Sequence, residues 1–285
     1  VRPPRSLTLF TRRNPEQTRD GVERLIAVAV AAGVKVLVPS EEVEKHRLEE
    51  RDGVELGVDG DAPTDLAVVL GGDGTILSTL GRFANRDVPV FAVNYGAIGF
   101  LATVERDELE DGLGRAFRGE FDVLSLPALS FTTSGNRWLA VNDVSFHREP
   151  GGRVAELGYS VRGEELGQVR CDGLVASTPA GSTGYNLANA GPVLAWGVEG
   201  YVVSFIAPHT LTARALVVAP TDVLEVVNRG REEKVEVTVD GRPVCWLGPQ
   251  EQIEVRFEHD QVLIAQGPGA SFYNRLRDKF GRLAY

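Results

Sequence analysis

Five consecutive residues, Gly71-Gly72-Asp73-Gly74-Thr75, follow the apolar run DLAVVL (65–70) and precede a helical pattern, TILSTLGRF. Glycine at such a place lets backbone N–H groups approach a ligand closely. The start of the helix adds partial positive charge suited to phosphate. The carboxyl ends of strands are where open α/β sheets bind ligands. Asp73 alters the chemistry, because a carboxylate among glycines repels phosphate unless it acts on a hydroxyl or a metal. A base for an alcohol beside a phosphate cradle suits phosphoryl transfer. The spacing is neither GxGxxG nor GxxxxGK[ST], so dinucleotide-fold hydride transfer and P-loop hydrolysis lose support. The plain alternative is a tight turn in which Asp73 caps the helix.

A second loop runs from Asp172 to Asn186, DGLVASTPAGSTGYN. It reads as a short apolar strand, a turn rich in Pro, Gly, Ser and Thr, and a helical start. Hydroxyls, backbone amides and the Tyr185 ring come together there, as a nucleoside requires. An ordinary β-to-α turn with Thr183 as cap is the alternative. A third candidate is Asn142-Asp143, polar residues inside the apolar run LAVNDVSFH (139–147). An amide and a carboxylate suit a ribose diol. Adjacent strand residues point to opposite faces, so both serve one ligand only at a strand end or bulge. The four histidines (46, 147, 209 and 259) have no zinc-site spacing, and no GxSxG elbow is present.

The elements that must position these loops change character along the chain. Strand patterns at 6–11, 34–38, 65–70 and 88–93 alternate with helical patterns at 14–32, 40–51, 75–83 and 105–117. Asn14-Pro15-Glu16 is a helix start and Gly33 a stop. This rhythm predicts a three-layer α/β domain with a parallel sheet. Beyond about residue 120 the chain turns β-rich, with strands predicted at 139–147, 157–161, 216–218, 223–227 and 235–239. Asp240-Gly241 reads as a hairpin turn into Val244-Cys245-Trp246. A further hairpin is expected from 252–257 to 261–266 through His259-Asp260. From residue 270 the pattern is helical again, and such a helix can fold back onto the first domain. The expected organisation is an α/β domain over 1–121, a sandwich-like β domain over 122–267, and a returning tail, 268–285.

Composition sets outer bounds. With 30 Lys and Arg against 40 Asp and Glu, the net charge of −10 offers no general attraction to nucleic acid or anionic membranes. Two cysteines, Cys171 and Cys245, are too few for a disulfide framework, so reduced thiols are expected. The first residues contain no apolar stretch of signal-peptide length, and the most apolar run, 25–38, is broken by Gly33 and Lys35. A cytoplasmic protein without a membrane span is expected.

Taken together, the motifs resemble the NAD kinase family. The likeness is carried by GGDGT (71–75), NYGAIGFL (94–101), VNDV (141–144) and DGLVASTPAGSTGYNLANAGP (172–192). It continues through PHTLTARALVV (208–218) and FYNRLRDKFG (272–281). The resemblance implies transfer of the ATP γ-phosphate, with a divalent metal ion such as magnesium, to the 2′-hydroxyl of the adenosine ribose of NAD. It implies Asp73 as the base, and Gly71, Gly72, Gly74 and Thr75 along the phosphates, with Phe100 beside the adenosine. Asn142 and Asp143 would hold ribose hydroxyls, and Thr183, Gly184, Tyr185 and Asn186 would surround the adenine. Arg153, Arg170 and Asp172 match positions near the nicotinamide half, a region the family often shares across subunits of a homodimer or homotetramer. Asp143 stands where the family often has Glu, and Arg242 where bacterial members often have a neutral residue. A lipid or sugar kinase with the same GGDGT loop, or a non-enzymatic NAD(P)-binding regulator, are the competing readings.

Overall fold

The computed structural model describes residues 1–97 and 99–281. Ile98 of the motif at 94–101, and 282–285 of the expected returning tail, lie outside the described residues. The chain divides into two compact units: Val1–Ser125 with the segment from Val262 onward, and Leu126–Gln261.

In the first unit, β1 (Ser6–Thr11), α1 (Arg19–Ala31), β2 (Lys35–Pro39), α2 (Ser40–His46), β3 (Val54–Val58), β4 (Leu66–Gly71), α3 (Asp73–Arg82), β5 (Val90–Asn94), β6 (Val104–Glu105) and α4 (Leu109–Phe117) follow in order. The sheet runs β5-β4-β1-β2-β3, every pair parallel, with β6 parallel to β5. Its central strands are buried on both faces, hence their continuous apolar runs. Leu7, Leu9, Val68 and Val93 share one cluster with Leu25 and Ala29 of α1 and Leu113 of α4. On the other face Phe10 meets Phe83, just beyond α3, with ring centroids 5.9 Å apart. Helices therefore cover both faces, which gives the three layers.

Two local readings need correction. Asn14 caps as expected, its Oδ1 accepting from the Glu16 N–H at 3.1 Å, but Pro15–Gln17 form a 3-10 turn and α1 starts only at Arg19. α2 stops at His46 because Arg47 adopts a left-handed φ of 55°, and the residues beyond supply the unforeseen edge strand β3.

The second unit is built from β7 (Asp122–Thr133) from Leu126 onward, β8 (Asn136–Ala140), β9 (Asp143–Arg148), β10 (Ala155–Val161), β11 (Glu164–Cys171), β12 (Gly173–Ser177), the short α5 (Tyr185–Ala188), β13 (Tyr201–Ile206), β14 (Leu216–Val218), β15 (Leu224–Asn228), β16 (Val235–Val239), β17 (Arg242–Leu247) and β18 (Gln252–Gln266) up to Gln261. One antiparallel sheet runs β14-β13-β12-β9-β16-β17, and β11-β10-β15-β18 form the other run. Their inner faces share one core, with Phe146, Leu174 and Val203 from the first against Leu157, Val226 and Val255 from the second. Tyr159 packs edge-on against Phe205 at 5.3 Å.

Here too the sequence misled twice. The run 139–147 is two strands, broken at Val141 and Asn142. The hairpin expected at His259-Asp260 is absent: β18 is one strand of 15 residues. Asp260 takes a positive φ of 52° within it. The two halves find different partners, Gln252–Val255 pairing with β15 and Ile264 with Val90 of β5, so they never pair with each other. The tail helix α6 (Phe272–Phe280) belongs to the first unit and buries Leu276. No described helix is long and apolar enough to cross a membrane.

Candidate functional site

The glycine loop sits at the carboxyl end of β4, where Gly71 closes the strand and Asp73 opens α3. Its glycines have separate reasons. A Cβ on Gly71 would lie 2.6 Å from that of Thr75, and one on Gly96 would lie 2.8 Å from the Gly72 Cα. Gly72 and Gly96 thus bring two loops together backbone to backbone. Gly74 is different: a Cβ there meets nothing within 4 Å. No internal packing calls for glycine at this exposed position. Open space beside a helix start is what an incoming phosphate needs.

Asp73 does not cap its own helix. Its Oδ2 accepts the Phe100 N–H at 3.1 Å and its Oδ1 accepts the Leu101 N–H at 3.0 Å. Each oxygen therefore keeps acceptor capacity for a further proton donor. The loop carrying these amides is itself fixed. Arg12 Nη1 donates to the Tyr95 carbonyl at 2.6 Å, and Asn94 Oδ1 accepts from the Gly96 N–H at 2.9 Å. Phe100 is buried between the rings of Phe272 and Phe280, at 5.9 and 5.8 Å.

In the second unit the strand break resolves the problem of facing. Asn142 lies at a corner and Asp143 opens β9, so neither is held to strand alternation. The corner interlocks with the second loop. Thr178 N–H donates to the Asn142 carbonyl at 2.9 Å and Thr178 Oγ1 to the Val141 carbonyl at 2.6 Å. Gly181 packs so closely that a Cβ would lie 2.0 Å from the Asn142 oxygen. Asn142 Oδ1 is buried with no hydrogen-bond donor among the described residues. Tyr185, 38% exposed, stacks on His147 with centroids 5.7 Å apart, and burial, then the charges of Asp143 and Asp172, raise its pKa.

Other expected residues are committed elsewhere. Thr183 Oγ1 donates to the Ala180 carbonyl at 3.2 Å rather than capping α5, and a Cβ on Gly184 would lie 3.9 Å from Asn142 Nδ2. Asn186 is fully buried, its Nδ2 donating to the carbonyls of Ser182 and Pro192. Asp172 pairs with Arg148 at 2.7 Å, and Arg170 with Glu156 at 3.4 Å. Arg153 is exposed.

Sequence reasoning missed Asp240. Its carboxylate accepts three successive backbone N–H groups, from Val141 (3.1 Å), Asn142 (2.7 Å) and Asp143 (3.1 Å), and so shapes the corner. Burial raises its pKa, against the pull of these three bonds and of Arg242. Asp143, 6% exposed, is pushed up to about 7 by burial and then by the Asp240 charge. The turn at Asp240-Gly241 accounts for an Asp without using its carboxylate, so no local pattern points to a partner 98 residues away.

One unit is a parallel α/β sheet with a carboxylate set in an open glycine loop at a strand end, and the other is antiparallel β; strand-end glycine loops of this kind suit phosphoryl transfer. The family model of the ATP-NAD kinase N-terminal domain matches residues 7–121, and that of the C-terminal domain matches 141–266. The chain belongs to the ATP-NAD kinase family. It is 40% identical over 231 residues to the NAD kinase of Gemmatimonas aurantiaca, covering 78% of each chain. It is 30% identical over 282 residues to that of Geobacter sulfurreducens, covering 96% of this chain and 98% of that one. Among solved structures, yeast NADH kinase complexed with NADH has the same fold, with a TM-score of 0.88, 22% identity, and coverage of 99% of this chain and 89% of that one. An NAD kinase from Archaeoglobus fulgidus in complex with ATP superimposes with a TM-score of 0.75, 24% identity and 97% coverage of both.

Proposed function

We propose that this chain is an NAD kinase that moves the γ-phosphate of ATP to the 2′-hydroxyl of the adenosine ribose of NAD, giving NADP. The observation that carries the reading is the Asp73 carboxylate, held by two amides beside the open Gly74 at the start of α3. Asp73 accepts the proton of the attacking hydroxyl, which makes the oxygen a better nucleophile. The amides fix its rotamer, so orientation is set before substrate arrives. The glycine backbone and helix start take the phosphates. In the second unit the unpartnered Asn142 Oδ1 accepts from a ribose hydroxyl, Asp143 takes another, and Tyr185 offers a face to the base.

Magnesium would neutralise phosphate charge in such a transfer. Among the described residues no three His, Cys, Asp or Glu converge. Arg153, Arg170 and Asp172 are proposed to serve the nicotinamide half across a homodimer or homotetramer interface, in a cytoplasmic enzyme.

Assays of phosphoryl transfer from ATP to NAD, diacylglycerol, sphingosine and fructose 6-phosphate test the reading. Transfer to NAD alone is expected. Transfer to a lipid or sugar and not to NAD would replace it, and NAD binding without turnover would make the protein a regulator.

A further inference from the structure

We propose that Arg275, on α6, is a positioning residue for Asp73 and acts through the peptide group between Phe100 and Leu101. The two side chains grip that group at its opposite ends. The Leu101 N–H donates to Asp73 Oδ1 at 3.0 Å, and the Phe100 carbonyl of the same peptide accepts from Arg275 Nη1 at 2.8 Å. Arg275 Nη1 also donates to the Ala102 carbonyl, and Nη2 to Gln266 Oε1. A cation on the carbonyl end polarises the peptide and strengthens its N–H as a donor to the carboxylate. The guanidinium suits this task, since its planar fork reaches several acceptors at once.

Burial disfavours the charge on Arg275, and the charges of Asp73 and Glu105 offset this. A half-buried cation is costly unless its hydrogen bonds are made. The last turn of α6 is tied as well. Lys279 pairs with Glu105 at 2.5 Å, and Glu105 Oε2 accepts from Asn94 Nδ2 at 2.8 Å. The tail helix therefore fastens the segment whose amides hold Asp73.

The inference rests on Asp73 acting as the base, and its test has two arms. The first needs no activity: amide hydrogen exchange at Phe100 and Leu101 is compared in wild type, Arg275→Met and Arg275→Lys. Faster exchange at both amides in Arg275→Met, with partial protection restored by Lys, is expected. Unchanged exchange overturns the proposal. The second arm is kinetic. Arg275→Met should lower kcat roughly 10- to 100-fold, the scale seen when outer-shell partners of functional groups are removed. KM for ATP and NAD should hold within about twofold, because the ligand-facing groups are untouched. In an Asp73→Asn background the same change should cost little more, since the group it positions is gone. A rise in KM at constant kcat, or an equal loss in both backgrounds, overturns it. Should Arg275→Met not fold, Arg275→Lys carries both arms. If wild type leaves NAD unphosphorylated, the kinase reading fails, and the exchange arm still decides whether Arg275 holds the clamp.

Discussion

Asp240 grips the backbone N–H of Asp143 at 3.1 Å and sets a second, half-buried carboxylate against it. Burial and this charge push Asp143 up to about 7, far above an unfolded Asp near 3.9. The folded chain thus binds this proton more tightly than the unfolded one. The resulting stabilisation is fully present below about pH 3.9 and lost as pH rises through about 7. Asp143→Asn removes the titration. Denaturant melts of both proteins should show the wild type losing about 4 kcal/mol relative to the variant between pH 4 and pH 8. Parallel curves would contradict the coupling.

Replacing Asp240 should unfasten the corner. Asp240→Ala leaves three amides without their acceptor and should cost about 3–5 kcal/mol in urea unfolding. Asp240→Asn keeps one acceptor oxygen and should cost less. Equal, small losses would show that the corner holds its shape without the carboxylate.

Asp73→Asn tests the base. kcat should fall by roughly 10²- to 10⁴-fold. Dinucleotide affinity should change far less, because the glycine backbone is unaltered. Near-normal turnover would remove Asp73 from the chemistry, and a collapse of affinity together with kcat would make it structural.

Asn142→Ala should weaken use of NAD by about 1–3 kcal/mol, the cost of a lost buried hydrogen bond. KM for NAD and for ATP, measured separately, check this. An effect confined to ATP would contradict the ribose assignment.

The strands and helices of the first unit were legible because sheets buried on both faces write themselves as apolar runs punctuated by caps and glycines. Edge strand β3 escaped, since VELGV is half exposed and carries a glycine. In the second unit polar residues were ambiguous signals. Asn142-Asp143 marked a break that reads as strand, and His259-Asp260 marked an unbroken strand that reads as a turn. The loops themselves were visible from residue type, as Gly71–Gly74 and 172–186. What locks them was not, because the amides of Phe100 and Leu101 and the carboxylate of Asp240 act across long stretches of chain. Pairing at such separations is set by the fold, and local pattern does not encode it.

The most direct measurement is product formation by the purified protein with magnesium, ATP and either NAD or its 2′-deoxyadenosine analogue, followed by mass and by phosphorus resonance. NAD should become NADP carrying one new phosphate on the 2′-oxygen, while the deoxy analogue stays unmodified. Phosphorylation of the analogue, or no NADP from NAD, would contradict the account.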